Sequence, residues 1–238
     1  MARMGRYFVA GQALHVIQRG NNRQAIFFAE GDYGLYHEWL AAAAREHDCA
    51  IHAYVQMTNH VHLLLTPGSA NSLPRMMQSL GRRYVRKINA RDRRTGTLWE
   101  GRYKAAPLDG DAYFFACSRY IEMNPVRARM VKHPGEYPFS SYRANALGEA
   151  DALVSRHLLW TRLGADAVTQ QAAYRALFQE KLDDQFVQDL RDATNGGWAL
   201  GDERFKKVIA DAAKRRAEPL AKGRPVKPKQ DKRQLNLL

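Results

Sequence analysis

Residues 50–66 read AIHAYVQMTNHVHLLLT, and the fold follows from how that stretch divides. Residues 50–57 alternate apolar and polar positions, as a half-buried strand does. Thr58-Asn59 supplies a short turn. Residues 60–66 return as a second strand, and Pro67-Gly68 stops it. Two strands this close in sequence pair as an antiparallel hairpin.

The flanks extend the pattern. Upstream, residues 14–18 (LHVIQ) are apolar and β-prone, and Arg19-Gly20-Asn21-Asn22 follows as a turn. Asp32 is placed to N-cap a helix running to about His47, with Leu35, Trp39, Leu40 and Ala43 on one face. Downstream, residues 72–90 carry Leu73, Met76, Met77, Leu80, Tyr84 and Ile88 at helical spacing, with arginines on the other face. Residues 97–104 (TLWEGRYK) are expected to form a strand. Asp111 then caps a helix to about Met123, Pro125 breaks it, and a short helix covers roughly 125–131. The order β-α-β-β-α-β-α, with a hairpin at its centre, favours an α+β fold built on an antiparallel sheet over a doubly wound parallel one.

Beyond Gly148 the composition shifts. The expected organisation is a first domain over 1–148, a polar helical connecting region over 149–193 and a basic extension over 194–238, flexible from Glu218 onward. In the extension, Asn195-Gly196-Gly197 breaks the chain and a helix at about 202–216 follows.

Charge singles out a class of partner. The 238 residues hold 37 Lys and Arg against 24 Asp and Glu, a net +13. The excess is concentrated: residues 74–104 carry ten basic residues against two acids, and 194–238 carry twelve against five. Two basic blocks on a nearly neutral body suit a polyanion, though a solvated helix face and a plain basic tail give the same pattern. A hydrophobic content of 45% excludes a wholly disordered chain, and two cysteines exclude a disulfide scaffold and a four-cysteine zinc site. No apolar run approaches the ~20 residues of a membrane helix, and no secretory signal is visible. A cytoplasmic, nucleoid-associated protein with no membrane partner is expected.

Three stretches could carry chemistry. In His60-Val61-His62 the two imidazoles lie two residues apart on a strand, so they face one side, about 7 Å apart, with Val61 opposite. Such a pair can grip a divalent cation, and ordinary strands also contain it by chance. Tyr120 and Asn124, in SRYIEMNP, share a helix face at i and i+4. A tyrosine hydroxyl, with a solution pKa of about 10, needs a nearby cation or base to attack phosphorus; otherwise the same residue is simply a core tyrosine. Lys222-Gly223-Arg224-Pro225 resembles an AT-hook peptide reaching into a narrow minor groove, or is a basic tail touching phosphates. The other six histidines, His15 included, have no partner at metal spacing, and both cysteines read as small core residues.

Residues 14–28 (LHVIQRGNNRQAIFF), 54–66 (YVQMTNHVHLLLT) and 119–131 (RYIEMNPVRARMV), in that order and spacing, resemble the HUH single-tyrosine transposases, and among them the REP-associated tyrosine transposases. The resemblance covers about residues 5–145. It implies an antiparallel palm of ferredoxin-like type with the tyrosine helix beside it. It implies metal ligands at His60 and His62, completed by Asn124, and a nucleophile at Tyr120. The implied ion is Mg²⁺ or Mn²⁺. The implied partner is single-stranded or hairpin DNA, cleaved to a 5′-phosphotyrosine link and a free 3′-hydroxyl by a monomer or homodimer. Arg82, Arg83, Arg86, Lys87 and Lys104 are expected to hold the DNA backbone and line the cleavage groove. Lys222 and Arg224 would add affinity from a tail that can be removed without loss of cleavage. The alternatives are a catalytically silent hairpin-binding regulator and a replication-initiator or relaxase-type nickase.

Overall fold

The computed structural model describes residues 9–219. The hairpin forms as the sequence predicts: strand β2 (Cys49–Met57) pairs antiparallel with β3 (His60–Pro67), and Met57 faces His60 across the Thr58-Asn59 turn. Strand β1 (Leu14–Arg19) pairs antiparallel with β3 on one side and with β4 (Lys104–Pro107) on the other. The sheet order is β2-β3-β1-β4. With helix α1 (Glu30–Glu46) after β1 and α2 (Ser72–Arg91) after β3, this is a β-α-β-β-α-β palm of ferredoxin-like type.

Side-chain alternation assigns each face. Val16, Val61, Leu63 and Leu65 enter a core with α1 and α2. All six apolar positions read from the 72–90 periodicity are buried there, each stabilising by about 1.5–3 kcal/mol. Leu64, Ala53 and Val55 face the other way, onto helix α3 (Gly110–Glu122).

Four local expectations are corrected. Strand β2 is buried on both faces instead of half-buried, because α1 and α2 cover one face and α3 the other, while residues 139–155 lie along its edge. Gln56 N–H donates to the Phe139 carbonyl at 2.9 Å and Ser141 N–H to the Tyr54 carbonyl at 3.0 Å, which shields an otherwise open edge. Asp32 sits in the first turn of α1 and not at its cap, accepting from Phe28 N–H and Ala29 N–H and pairing with Arg91 of α2. Only residues 104–107 of the 97–104 region's neighbourhood form a strand; Trp99 makes a single bridge to Gly20. Helix α3 begins at Gly110, with Asp109 at the N-cap position.

Helix α4 (Asn124–Arg127) follows α3 almost without interruption. Pro125 stands in its first turn, where its missing N–H costs nothing, so Asn124 stays helical. Helices α5 (Ala167–Ala176), α6 (Asp184–Gly196) and α7 (Glu203–Ala213) complete the described chain. The expected glycine break is there: α6 stops at Gly196 and Gly197 takes the left-handed conformation, φ 66°. The segment beyond is nonetheless built in. Leu200 N–H donates to the Pro107 carbonyl and Asp109 N–H to the Leu200 carbonyl, each at 2.8 Å, extending the sheet past β4.

The tyrosine helix is anchored from behind by Glu122, a fully buried carboxylate. Its oxygens accept from Ser141 Oγ (2.6 Å), Asn145 Nδ2 (2.8 Å) and Tyr174 Oη (2.8 Å). Burial raises its pKa to about 7, against the lowering effect of those three donors. A carboxyl raised in the folded state stabilises below its unfolded pKa, and that contribution is lost as pH rises through 7. Between pH 5 and pH 8 the loss is on the order of 3 kcal/mol. Urea unfolding of Glu122→Gln is therefore expected to show a flatter decline over this range than the wild type. Parallel pH profiles for the two proteins would refute the assignment.

Candidate active site

A cavity of about 630 Å³ opens on the α3 face of the sheet, where β1, β3, α3 and α6 meet. Two turns build its rim. Gly20 N–H donates to the Asn59 carbonyl at 2.9 Å, and Ile26 N–H to the Thr58 carbonyl at 2.9 Å. Gly20 is required at that crossing, since a Cβ there would fall 2.2 Å from the Gln24 carbonyl oxygen. The two turns bring Arg19 and Arg23 beside His60 and His62.

His60 and His62 point to the same side, as their spacing predicts, with ring centroids 4.9 Å apart and planes at 82°. The hydrogen bonds settle His60. Asn59 Nδ2 donates to the Arg23 carbonyl at 2.8 Å, so Asn59 Oδ1 is the atom 2.6 Å from His60 Nδ1 and can only accept. His60 therefore carries its proton on Nδ1 and keeps the Nε2 lone pair. His62 Nδ1 lies 2.8 Å from His15 Nε2, and its own Nε2 has no bond to any described residue. Burial, then the charges of Arg19 and Arg127, pull the His60 pKa down to about 4. Burial places His62 well below its usual value and His15 at about 3. Neutral imidazoles are the form that binds metal.

Tyr120 and Asn124 reach the same cavity from α3 and α4. The Tyr120 ring stands edge-on to both His15 and His62, 5.7 Å between centroids in each case. Arg127, two helical turns past Tyr120, lays its guanidinium 4.0 Å over the tyrosine ring and donates to the Tyr120 carbonyl at 3.1 Å. Arg191, Thr194 and Asn195 of α6 close the wall. Four arginines thus surround the cavity, and no Asp or Glu lines it among the described residues.

A divalent ion fits this donor set in part. His60 turns an Nε2 lone pair to the cavity, His62 Nε2 stands beside it, and Asn124 Nδ2 is buried without a partner. An orphaned amide at a cavity wall costs about 1–3 kcal/mol unless something pairs with it, and the same side chain turned over offers Oδ1. No group of three His, Cys, Asp or Glu side chains converges as a metal cluster among the described residues.

The basic residues are elsewhere than expected. Arg82, Arg83 and Arg86 line a groove of about 1110 Å³ on the opposite face of the sheet, with Arg75, Arg102 and Trp99. Helix α2 covers the face that Val61 points to, so its outer arginines cannot line the histidine cavity. Lys87 is exposed on the same helix. A smaller cleft of about 160 Å³ lies between, sharing Arg19 and Asn195 with the cavity and Arg102 with the groove. Lys104 borders that cleft and donates to Asn195 Oδ1 at 2.9 Å. Lys222 and Arg224 lie outside the described residues.

Besides the rim residues Arg19, Arg23 and Asn59, four contributors escaped the sequence reading. His15 looked partnerless; its signal was a polar residue inside an apolar strand, two positions from Ile17 on the cavity face. Arg127 was visible as the i+7 neighbour of Tyr120. Arg191 and Thr194 had no local signal.

Residues 8–124 match the family of IS200-like transposases. This part of the chain belongs to that family. The three motif stretches that carried the resemblance are the ones that meet at the cavity of the transposase domain. A REP-associated tyrosine transposase bound to a REP hairpin shares its fold, with TM-score 0.54 and 17% identity over 66% of this chain and 93% of that one. A transposase candidate from Deinococcus radiodurans R1 aligns with TM-score 0.36 and 22% identity over 51% of this chain and 96% of that one. No curated protein matches the chain. Among the described residues, no helix is long and apolar enough to cross a membrane.

Proposed function

We propose that the protein is a REP-associated type of tyrosine transposase that cuts and rejoins single-stranded or hairpin DNA through Tyr120. One observation carries the reading: three imidazoles, one tyrosine and four arginines share a cavity with no acidic side chain among the described residues. A polyanion is the natural occupant.

Tyr120 Oη attacks the scissile phosphorus, losing its proton. The new O–P bond forms as the P–O3′ bond breaks, leaving a 5′-phosphotyrosine link and a 3′-oxygen that takes up a proton. His60 and His62, with Asn124, would hold Mg²⁺ or Mn²⁺; when bound, the ion offsets charge growing on a non-bridging phosphate oxygen. Arg127 fixes the tyrosine ring and supplies positive charge beside its hydroxyl. Arg19, Arg23 and Arg191 hold the phosphates flanking the cut. Because the bond energy is kept in the phosphotyrosine, a second 3′-hydroxyl can reverse the attack without ATP. The test is a labelled hairpin oligonucleotide incubated with Mn²⁺ and run on a denaturing gel. A shifted protein–DNA band is expected, and a chain that binds the hairpin but never yields that band is a silent regulator.

The α2 groove serves as the outer DNA-binding surface in this reading. Its arginines contact phosphate and release counterions, so each lost contact lowers the salt slope of binding by about 0.7–0.9. Arg82→Ala with Arg86→Ala is expected to flatten that slope by about 1.5 units in fluorescence anisotropy. An unchanged slope removes the groove from the DNA path.

A further inference from the structure

His62 is one member of a buried hydrogen-bonded chain that ends on helix α6. His15 Nε2 lies 2.8 Å from His62 Nδ1, and His15 Nδ1 lies 2.7 Å from Thr194 Oγ1. The two imidazoles are coplanar to 3°, the arrangement in which a ring N–H points straight at the facing lone pair. His15, His62 and Thr194 are 2%, 4% and 3% exposed, so no solvent substitutes for these partners. The residues come from β1, β3 and α6, elements far apart in sequence.

An imidazole–imidazole hydrogen bond is asymmetric: one ring donates and the other accepts. The chain therefore has two arrangements. In the first, His62 Nδ1–H donates to His15, His15 Nδ1–H donates to Thr194 Oγ1, and His62 Nε2 is a bare lone pair facing the cavity. In the second, Thr194 donates to His15, His15 donates to His62, and His62 Nε2 carries a proton. Only the first leaves His62 able to ligate.

We propose that His15 and Thr194 are positioning residues that hold His62 in the Nδ1–H tautomer, so that helix α6 sets the ligand orientation of the strand. The inference rests on the reading of His62 as a metal ligand given above. Partners of this kind typically change metal affinity by 10–100-fold when removed. The same coplanar pair forms the surface against which the Tyr120 ring stands edge-on, so the relay also fixes where the tyrosine sits.

The experiment has two arms on the full chain. In the first, histidine ¹⁵N spectra of the metal-free protein, with His62 assigned by its loss in His62→Gln, report which nitrogen is protonated. Nδ1–H on His62 supports the relay, and Nε2–H overturns it. In the second, Mn²⁺ alone is titrated and the free ion counted by electron paramagnetic resonance. His15→Leu is expected to weaken Mn²⁺ binding by 10–100-fold, His15→Gln to recover part of the loss through its amide oxygen, and Thr194→Val, which keeps the side-chain shape and removes only the hydroxyl, to weaken it several-fold. Folded variants with unchanged Mn²⁺ affinity overturn the proposal. If the wild type takes up no Mn²⁺, the metal reading falls and the relay is decided by the first arm alone.

Discussion

Tyr120→Phe is expected to abolish the covalent protein–DNA adduct, by a thousandfold or more, while hairpin affinity stays within about twofold. The substitution removes one oxygen and keeps the ring. The edge contacts with His15 and His62 and the stacking of Arg127 are all made by the ring, and the 3.1 Å bond from Arg127 goes to the backbone carbonyl. The arginine lining and the α2 groove are untouched, so binding has no reason to fall. No other tyrosine lines the cavity among the described residues, so no neighbour can take over the attack. An adduct at wild-type level in Tyr120→Phe would remove Tyr120 as the nucleophile and send the search to another hydroxyl.

The fold was legible because its signals are local. The hairpin follows from two apolar runs separated by Thr58-Asn59, and α2 from a sixfold apolar repeat. The misread elements are those whose state depends on distant chain. Strand β2 looks half-buried until α3, about sixty residues on, packs against its second face. The 97–104 stretch has strand-forming residues but no continuous neighbour to pair with, because β1 has already turned away at Gly20. Pro125 reads as a helix break, yet at the start of α4 it is compatible with a helix that simply resumes.

The candidate site divides along the same line. His60, His62, Tyr120 and Asn124 are paired by spacings of two and four residues, and the structure brings all four to one cavity. His15, Arg191 and Thr194 join them only through tertiary contacts. The basic block between the histidine strand and the tyrosine helix misleads for a physical reason. Sequence position between two site elements does not select a face of the sheet; strand alternation and the cover of α2 do. Likewise, residues 194–217 are basic in composition but not detachable: Thr194 reaches His15, Leu200 extends the sheet, and Ala199 N–H donates to the Ala217 carbonyl at 2.8 Å. A chain cut before Thr194 loses a wall of the cavity, so such a truncation does not separate binding from chemistry.

His62→Ala should stop cleavage by at least a hundredfold and eliminate tight Mn²⁺ uptake, with hairpin binding nearly unchanged. The argument turns on what each histidine has behind it. His60 is partly buried at the rim and held by Asn59, so its replacement leaves a polar gap that water can fill. His62 is buried, and its removal also leaves His15 Nε2 facing an empty space, so both a ligand and the order of the relay are lost. His60→Ala should therefore retain weak Mn²⁺ binding and some cleavage at high Mn²⁺, whereas His62→Ala should not be rescued by added metal. Lewis-acid stabilisation of a phosphoryl transition state contributes several kcal/mol, and every 1.36 kcal/mol is tenfold in rate, which sets the hundredfold floor. Adduct yield measured against Mn²⁺ concentration separates the two cases. Full cleavage by His62→Ala at the wild-type Mn²⁺ optimum would show that the histidine pair holds no catalytic ion.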